Sequence, residues 1–174
     1  MKRFWILTII MLLITGCTDE TPFEPVKDVY AEETAAPMRQ IMLEIPEDAT
    51  VTVMETQSNG KMYFCDDYTL TVYTTLAGDL QKTVKNATGF PVEELQMLKV
   101  NYRDMTKYLC VWTAAGEGAT QVGRACILDD GHYHYVLTAM TQENQAGELL
   151  SGDWETVFRS FDALTPDQIV NSGS

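Results

Sequence analysis

The sequence is short of the residues and motifs on which most enzymatic catalysis depends. Its 174 residues include only two histidines, His132 and His134. It has no Gly-x-Ser-x-Gly motif to carry a serine nucleophile, and Gly116-Glu117-Gly118 lacks the lysine and helix that follow a phosphate-binding loop. The acidic pairs Asp66-Asp67 and Glu93-Glu94 are sequence neighbours, whose side chains point apart on a strand or a helix. We therefore predict a protein that is not an enzyme and needs no cofactor.

Basic residues are also scarce. The chain has 12 Lys and Arg against 25 Asp and Glu, for a formal net charge of −13. Nucleic-acid binding depends on Lys and Arg side chains that neutralise phosphates, so this composition excludes nucleic acid as a partner. We interpret the acidity as a source of solubility; a cationic partner or cell-wall cations are the alternatives.

The apolar run near the N-terminus is too short to cross a membrane. Phe4–Ile14 has eleven residues, whereas a spanning helix needs roughly 20. It follows the basic pair Lys2-Arg3 and precedes Thr15-Gly16-Cys17, an order typical of a signal peptide. With Ile14-Thr15-Gly16-Cys17 as its lipobox, the segment resembles a bacterial lipoprotein signal peptide. The resemblance implies cleavage before Cys17 and attachment of lipid to the Cys17 thiol.

A lipid on Cys17 determines the expected location. Removing residues 1–16 from the 174 leaves 158, enough for one domain with a sizeable core. It also removes Lys2 and Arg3, so the formal charge goes from −13 to −15. Two or more acyl chains hold a protein stably on a bilayer. We expect a lipid-anchored protein on the extracytoplasmic face of the cell membrane; a secretory signal with a chance cysteine and a short uncleaved anchor are the alternatives.

Residues 17–40 form the second predicted region. They are rich in Pro, Glu, Asp, Thr and Ala and have neither a helical nor a strand period. Such a composition cannot bury enough apolar surface to offset the entropy of folding. We predict a flexible tether between the lipid and the domain.

Residues 41–165 are predicted to form one α+β domain. Gly78 to Gly89 has a helical apolar period, with Asp79 suited to the N-cap and Gly89 to the left-handed C′ position. A short helical turn is predicted at 91–95. A second amphipathic helix is predicted from Ser151 to Leu164, followed by a disordered polar tail at 166–174. The predicted strands are 41–45, 51–56, 61–65, 68–75, 97–103, 107–114, 121–128 and 133–140.

Short turns join most of these strands. Asn59-Gly60 and Asp130-Gly131 are strong hairpin signals, and strands joined by tight turns are antiparallel. The predicted fold class is therefore α+β, an antiparallel β-sheet flanked by helices.

Three cysteines remain once Cys17 is assigned to the anchor, and this odd number leaves at least one thiol unpaired within the chain. Cys110 and Cys126 lie symmetrically about the turn at 116–118. In a regular hairpin they would face each other, so a cross-strand disulfide is one hypothesis. The other is that these thiols are buried as small hydrophobic side chains.

The histidines suggest a second open question. On a strand, His132 and His134 would point to the same face, and with Asp129 they are candidate metal ligands. Structural zinc sites usually have four ligands in recognisable pairs, and Asp129-Asp130-Gly131 is explained as a turn. We favour two exposed strand histidines over a metal site.

The domain resembles the PsbP/Mog1-like α/β/α sandwiches, and in particular short lipoproteins of Gram-positive bacteria with that layout. The residues that carry the resemblance are Thr88–Phe90, Tyr108–Trp112, Gly123–Tyr135 and Val157–Phe161. The group includes an extrinsic photosystem subunit, a nuclear-import accessory protein that binds a small GTPase, and uncharacterised lipoproteins. The resemblance implies partner binding rather than catalysis, and it assigns no functional residue.

We therefore expect a membrane-anchored accessory module that binds a protein or another envelope component. A small-molecule or metal-ion binding lipoprotein is the first alternative, and an unrecognised hydrolase is the second. Six strand aromatics form either a recognition patch or ordinary cross-strand pairs: Tyr63, Phe64, Tyr68, Tyr73, Tyr133 and Tyr135.

Overall fold

The structure is a computed structural model that describes residues 36–54, 60–115, 119–143 and 153–172. The predicted signal peptide, Cys17, most of the predicted tether and the turn at 116–118 lie outside the described residues. Within the described part, no helix is long and apolar enough to cross a bilayer.

The described residues form one large antiparallel sheet and a small ribbon. The large sheet has the strand order β2-β3-β4-β8-β7-β6-β5, and β1 pairs with β9 in the ribbon. The nine strands are β1 Gln40–Met42, β2 Thr50–Val53, β3 Lys61–Phe64, β4 Tyr68–Leu76, β5 Met97–Tyr102, β6 Met105–Ala115, β7 Thr120–Asp129, β8 Tyr133–Gln142 and β9 Asp162–Leu164.

Helix α1, Leu80–Thr88, forms where the apolar period predicts it. The Asp79 carboxylate accepts hydrogen bonds from the amides of Gln81 and Lys82 at 2.9 and 3.3 Å. Gly89 ends the helix at φ 82°, a left-handed conformation that favours glycine. Both predicted caps are confirmed, and a 3-10 turn follows at Val92–Glu94.

Helices lie on both faces of the sheet. On one face, α1 packs through Val84 against Tyr73, Ile127 and Val136. The other face is covered by helix α2, Asp153–Ser160, and by the ribbon. The buried side chains of that face include Leu70, Cys126, Leu128, Tyr135, Leu137, Phe158, Phe161 and Ala163. This arrangement confirms the predicted α+β class.

The end of the chain differs from the prediction. The helix expected over 151–164 ends at Ser160, and Asp162–Leu164 is strand β9. Residues Pro166–Ser172 form helix α3, where the sequence predicts a disordered tail. At the other end of the domain, β1 begins at Gln40, within the predicted tether. A three-residue strand that pairs with distant β1 has no local signal, which is why the helical period of α2 extends over it.

The hypothesis of a Cys110–Cys126 disulfide does not fit the strand register, whereas the alternative of two buried thiols does. Cys110 pairs with Ala125 and Cys126 pairs with Leu109, so the two cysteines are offset by one residue in the register of β6 and β7. Since side chains alternate across a strand, the two thiols lie on opposite faces of the sheet. Among the described residues, Cys65, Cys110 and Cys126 form no disulfide bond, and burial raises the pKa of Cys126 to about 12.

Candidate binding surface

The structure gives the two candidate metal-binding histidines different surroundings. His132 is exposed in the turn before β8, whereas His134 on β8 is only 2% exposed. The expectation of two exposed histidines is therefore wrong for His134. Among the described residues, no three His, Cys, Asp or Glu side chains are grouped closely enough to hold a metal ion.

His134 instead joins α1 to the sheet. The Thr83 hydroxyl lies 2.8 Å from Nδ1 of His134, and Nε2 lies 3.7 Å from Oδ2 of Asp129. Burial lowers the pKa of His134. The negative charges of Asp129 and Asp130 act in the other direction, but burial has the larger effect. The imidazole is therefore neutral at neutral pH.

The order hydroxyl, imidazole, carboxylate is that of a hydrolase triad, but this geometry does not serve catalysis. Thr83 and His134 are both buried, so a substrate cannot reach the hydroxyl. The His134–Asp129 distance of 3.7 Å is also too long for the hydrogen bond that would orient the ring. The cluster is a packed polar contact between α1 and β8.

A second polar cluster, which the sequence analysis missed, fixes the start of the domain. The Arg39 guanidinium contacts both carboxylate oxygens of Asp104, at 3.0 and 2.6 Å, and Oδ2 of Asp130 at 3.2 Å. The Arg39 amide donates to the Tyr135 hydroxyl, which donates to Asp130, each at 2.9 Å. We call these four residues the Arg39 cluster. They join the residues before β1 to the β5–β6 and β7–β8 turns.

Asp130 is the centre of the Arg39 cluster. Its other carboxylate oxygen accepts the amides of His132 and Tyr133 at 2.9 and 2.7 Å. Burial opposes ionisation, but these hydrogen bonds, the Tyr135 hydroxyl and the Arg39 charge outweigh it, so the pKa of Asp130 lies below its usual value. A carboxylate with this many partners has its acceptor capacity filled, which indicates a structural role rather than a binding role.

The helices cover the middle of the large sheet and leave both ends exposed. At the β2 end, Val51, Val53 and Phe64 are exposed. At the β5 end, Leu98 and Val111 are each 59% exposed and Val100 is 41% exposed, on the same side of the sheet as α2. We call the α2 side of strands β5, β6 and β7 the β5–β7 face. Of the six strand aromatics, Tyr68, Tyr73 and Tyr135 are buried and only Phe64 is largely exposed, so they do not form a recognition patch.

The β5–β7 face carries positive charge in a strongly acidic chain. Its charged side chains are Lys107 and Arg124, and these strands present no carboxylate on that side. The Arg124 guanidinium lies 4.4 Å from the centre of the Phe158 ring, and Lys107 Nζ lies 4.9 Å from that of Tyr102. Within the described residues neither cation forms a salt bridge, and an aromatic ring lies against each of them.

A groove of about 420 Å³ lies on the β5–β7 face beside α2, within the range of small-molecule sites. Its main walls are Leu98, Leu109, Val111, Val122, Arg124 and Trp154. Another groove, of about 490 Å³, lies at the β3–β4–β8 end, where Met62, Phe64 and Met140 meet Asp66 and Asp67. Of these two grooves, the first combines apolar walls with a cation that forms no salt bridge within the described residues.

The chain is similar in structure to CyanoP, the cyanobacterial PsbP of Synechocystis sp. PCC 6803. The match has a TM-score of 0.52 and 13% identity over 76% of this chain and 96% of CyanoP. The fold is PsbP-like.

Two further solved structures are similar to this PsbP-like domain. LpqN, which is involved in cell envelope biogenesis of Mycobacterium tuberculosis, matches with a TM-score of 0.49 and 13% identity over 75% of this chain and 87% of LpqN. A Bacteroides thetaiotaomicron protein matches with a TM-score of 0.47 and 9% identity, over 73% of this chain and 46% of that protein. No protein-family model matches the chain, nor does any curated protein sequence.

Proposed function

We propose that the protein is a lipid-anchored, extracytoplasmic and non-catalytic module that binds an envelope component through the β5–β7 face. The observation that carries the proposal is the exposure of Leu98, Val100 and Val111 on the same side of the sheet as two cations. These cations, Lys107 and Arg124, form no salt bridge within the described residues. Exposed apolar side chains that lie together on a soluble domain are a common mark of an interaction site. The lipobox supports the location, and the PsbP-like fold is compatible with an accessory role.

The hydrolase alternative has less support. Its best candidate residues, Thr83, His134 and Asp129, lie under α1 rather than in a cleft. A small-molecule site has a specific observation in its favour, the groove of about 420 Å³ that Leu98, Val111 and Trp154 line.

Two experiments test the proposal. Membrane fractionation of a Cys17→Ala variant tests the anchor: we expect the variant to leave the membrane fraction, and continued membrane attachment would contradict the lipid assignment. A photo-crosslinking residue at position 111 tests the surface, with position 51 as the matched control, because Val51 is a valine of similar exposure at the opposite end of the sheet. We expect a crosslinked product in intact cells from position 111 and none from position 51. Equal products from both positions, or none, would refute the assignment of the face.

A further inference from the structure

Strand β5 is an open edge of the large sheet and is exposed along most of its length. It ends the strand order, and Leu98, Lys99, Val100 and Asn101 are all exposed. Leu98 and Val100 point to the same side of the sheet, because side chains alternate along a strand. An extended surface can reach an edge strand without entering a cleft, and aliphatic side chains there gain free energy when such a surface removes them from water.

Two lysines flank this aliphatic pair. Lys99 lies between Leu98 and Val100 in the sequence, and Lys107 is the partner of Val100 in the register of β5 and β6. A lysine can keep its apolar stem beside aliphatic groups and its ammonium in water. Aliphatic side chains bordered by lysines therefore suit the boundary between the headgroups and the hydrocarbon of a bilayer.

Strands β5 and β6 are cationic in an acidic chain. Residues 97–115 have a formal charge of +2, from the basic residues Lys99, Arg103 and Lys107 and the acidic residue Asp104, whereas the whole chain has −13. Asp104 contacts Arg39 at 2.6 Å, and Arg103 contacts Asp162 at 2.8 Å. Among the described residues, Lys99 and Lys107 form no salt bridge. An anionic surface attracts this edge and repels the acidic remainder of the chain, so it orients the domain.

The predicted lipid on Cys17 keeps a bilayer within reach of this edge. Residues 18–39 span at most about 75 Å when fully extended. Arg39 contacts Asp104 in the turn that joins β5 to β6, so the chain enters the domain beside one end of β5. Tethering raises the effective concentration of a surface to the order of millimolar, an advantage that a separate acidic protein does not have.

We infer that the β5 edge docks on a bilayer that contains anionic phospholipids, with Leu98 and Val100 at the boundary of the hydrocarbon and Lys99 and Lys107 against the headgroups. The inference rests on the proposed function, because it names a lipid surface as the envelope component that the β5–β7 face meets. An acidic protein on the same face is the competing occupant.

The test uses the full-length protein, purified from membranes and reconstituted into vesicles. One set of vesicles is phosphatidylcholine, and the other is an equal mixture of phosphatidylcholine and phosphatidylglycerol. Both contain a trace of a phospholipid with a photo-activatable diazirine next to its headgroup, and mass spectrometry locates the labelled peptides after illumination. We expect labelling of β5 in the mixed vesicles and at least about fivefold less in phosphatidylcholine alone, since one lysine near an anionic surface contributes about that factor to binding.

A first pair of variants tests the charges. Lys99→Gln/Lys107→Gln removes both cations from the edge. Lys82→Gln/Lys85→Gln is the matched control, because these two lysines are exposed on α1. In the mixed vesicles we expect labelling of β5 to fall at least about fivefold in the edge variant and to stay at the wild-type level in the control.

A second pair of variants tests the aliphatic side chains. Leu98→Ser/Val100→Ser removes them from the edge, and Val51→Ser/Val53→Ser is the matched control on the exposed strand at the other end of the sheet. We again expect labelling of β5 to fall at least about fivefold in the edge variant and to be unchanged in the control. Resistance of each variant to protease in the same vesicles verifies that it is folded.

Labelling of β5 that is equal in the two kinds of vesicle, or full labelling of either edge variant, would overturn the inference. Loss in the lysine variant alone would identify an edge that attracts any polyanion rather than one that docks on a bilayer. The crosslinking experiment at position 111 separates this failure from that of the proposed function. The inference expects a phospholipid adduct there; a protein adduct without vesicle labelling rejects the bilayer and leaves the proposed face intact, whereas the absence of both rejects the face itself.

Discussion

Replacement of Gly123 by alanine tests the packing of β6 against β7 on the α1 side. Gly123 pairs with Trp112, and an added methyl group would lie 2.2 Å from Cε2 and 2.3 Å from Cζ2 of the indole. Carbon atoms pack at about 3.5–4 Å, so the indole would have to move by more than an ångström. Trp112 is buried in a cluster with Cys110 and Ala125, which leaves no room for that movement.

Two effects of this substitution oppose each other. Inside a strand, alanine stabilises the folded chain by up to about 1 kcal/mol relative to glycine, because less conformational entropy is lost on folding. Forcing a methyl group into a packed core costs about 1–3 kcal/mol, and the size of the required displacement favours the upper value. We expect the free energy of unfolding of Gly123→Ala to fall by about 2 kcal/mol, which lowers the Tm by about 4–8 °C in a domain of this size.

Urea unfolding monitored by tryptophan fluorescence measures the loss. Gly78→Ala is the matched control, because nothing lies within 4 Å of its added methyl group and its φ is not positive. We expect this control to stay within about 0.5 kcal/mol of the wild type. If Gly123→Ala proved as stable as Gly78→Ala, the close contact between Gly123 and the Trp112 ring would be wrong.

Three further predictions concern the buried polar groups and thiols. Asp130→Asn should lower the free energy of unfolding by about 2–3 kcal/mol in urea, since it removes the charge that Arg39 and three other hydrogen-bond donors face. The free energy of unfolding should fall as the pH drops below about 6.5, by up to about 1.4 kcal/mol per pH unit, because the pKa of His134 is lowered in the folded chain and the unfolded chain takes up the proton first. Thiol titration without reductant should find every described cysteine free after denaturation, and in the native state Cys126 should react last.

Each of these predictions has an outcome that contradicts it. The Asp130→Asn prediction is contradicted if the free energy of unfolding changes by less than about 0.5 kcal/mol, the size expected of an ordinary surface substitution. For the pH dependence it is a His134→Gln variant with the same slope as the wild type between pH 7.5 and 5. For the thiols it is a Cys126 that reacts in the native state as fast as Cys65, which is only partly buried.

The strands of the meander were predictable because their signals are local. The predicted strands at 97–103, 107–114, 121–128 and 133–140 agree to within one or two residues with β5, β6, β7 and β8. Turn residues separate them, and β-branched and aromatic residues fill them. The caps of α1 were predictable for the same reason, since each depends on one residue next to the helix.

The remaining features depend on distant parts of the chain. Strand β9 exists because β1 pairs with it, and the sequence near Asp162 does not report that partner. The burial of His134 was not predicted, because the sequence around β8 does not report that α1 covers this side of the strand. Arg39 lies in a stretch without any period, and its partners Asp104 and Asp130 are in two separate turns. Trp154, which lines the groove beside α2, was predicted only as part of an apolar helix face.

The β1–β9 ribbon has a consequence for how the chain folds. Gln40 pairs with Leu164, so the first described strand can be completed only when nearly the whole chain is available. Contacts between residues about 120 positions apart close late, and such topologies fold slowly. The neighbouring strands β5 to β8 can pair earlier, but the domain cannot complete its fold until its last strand is available. The ribbon that completes the domain therefore also sets the time at which the whole domain can form.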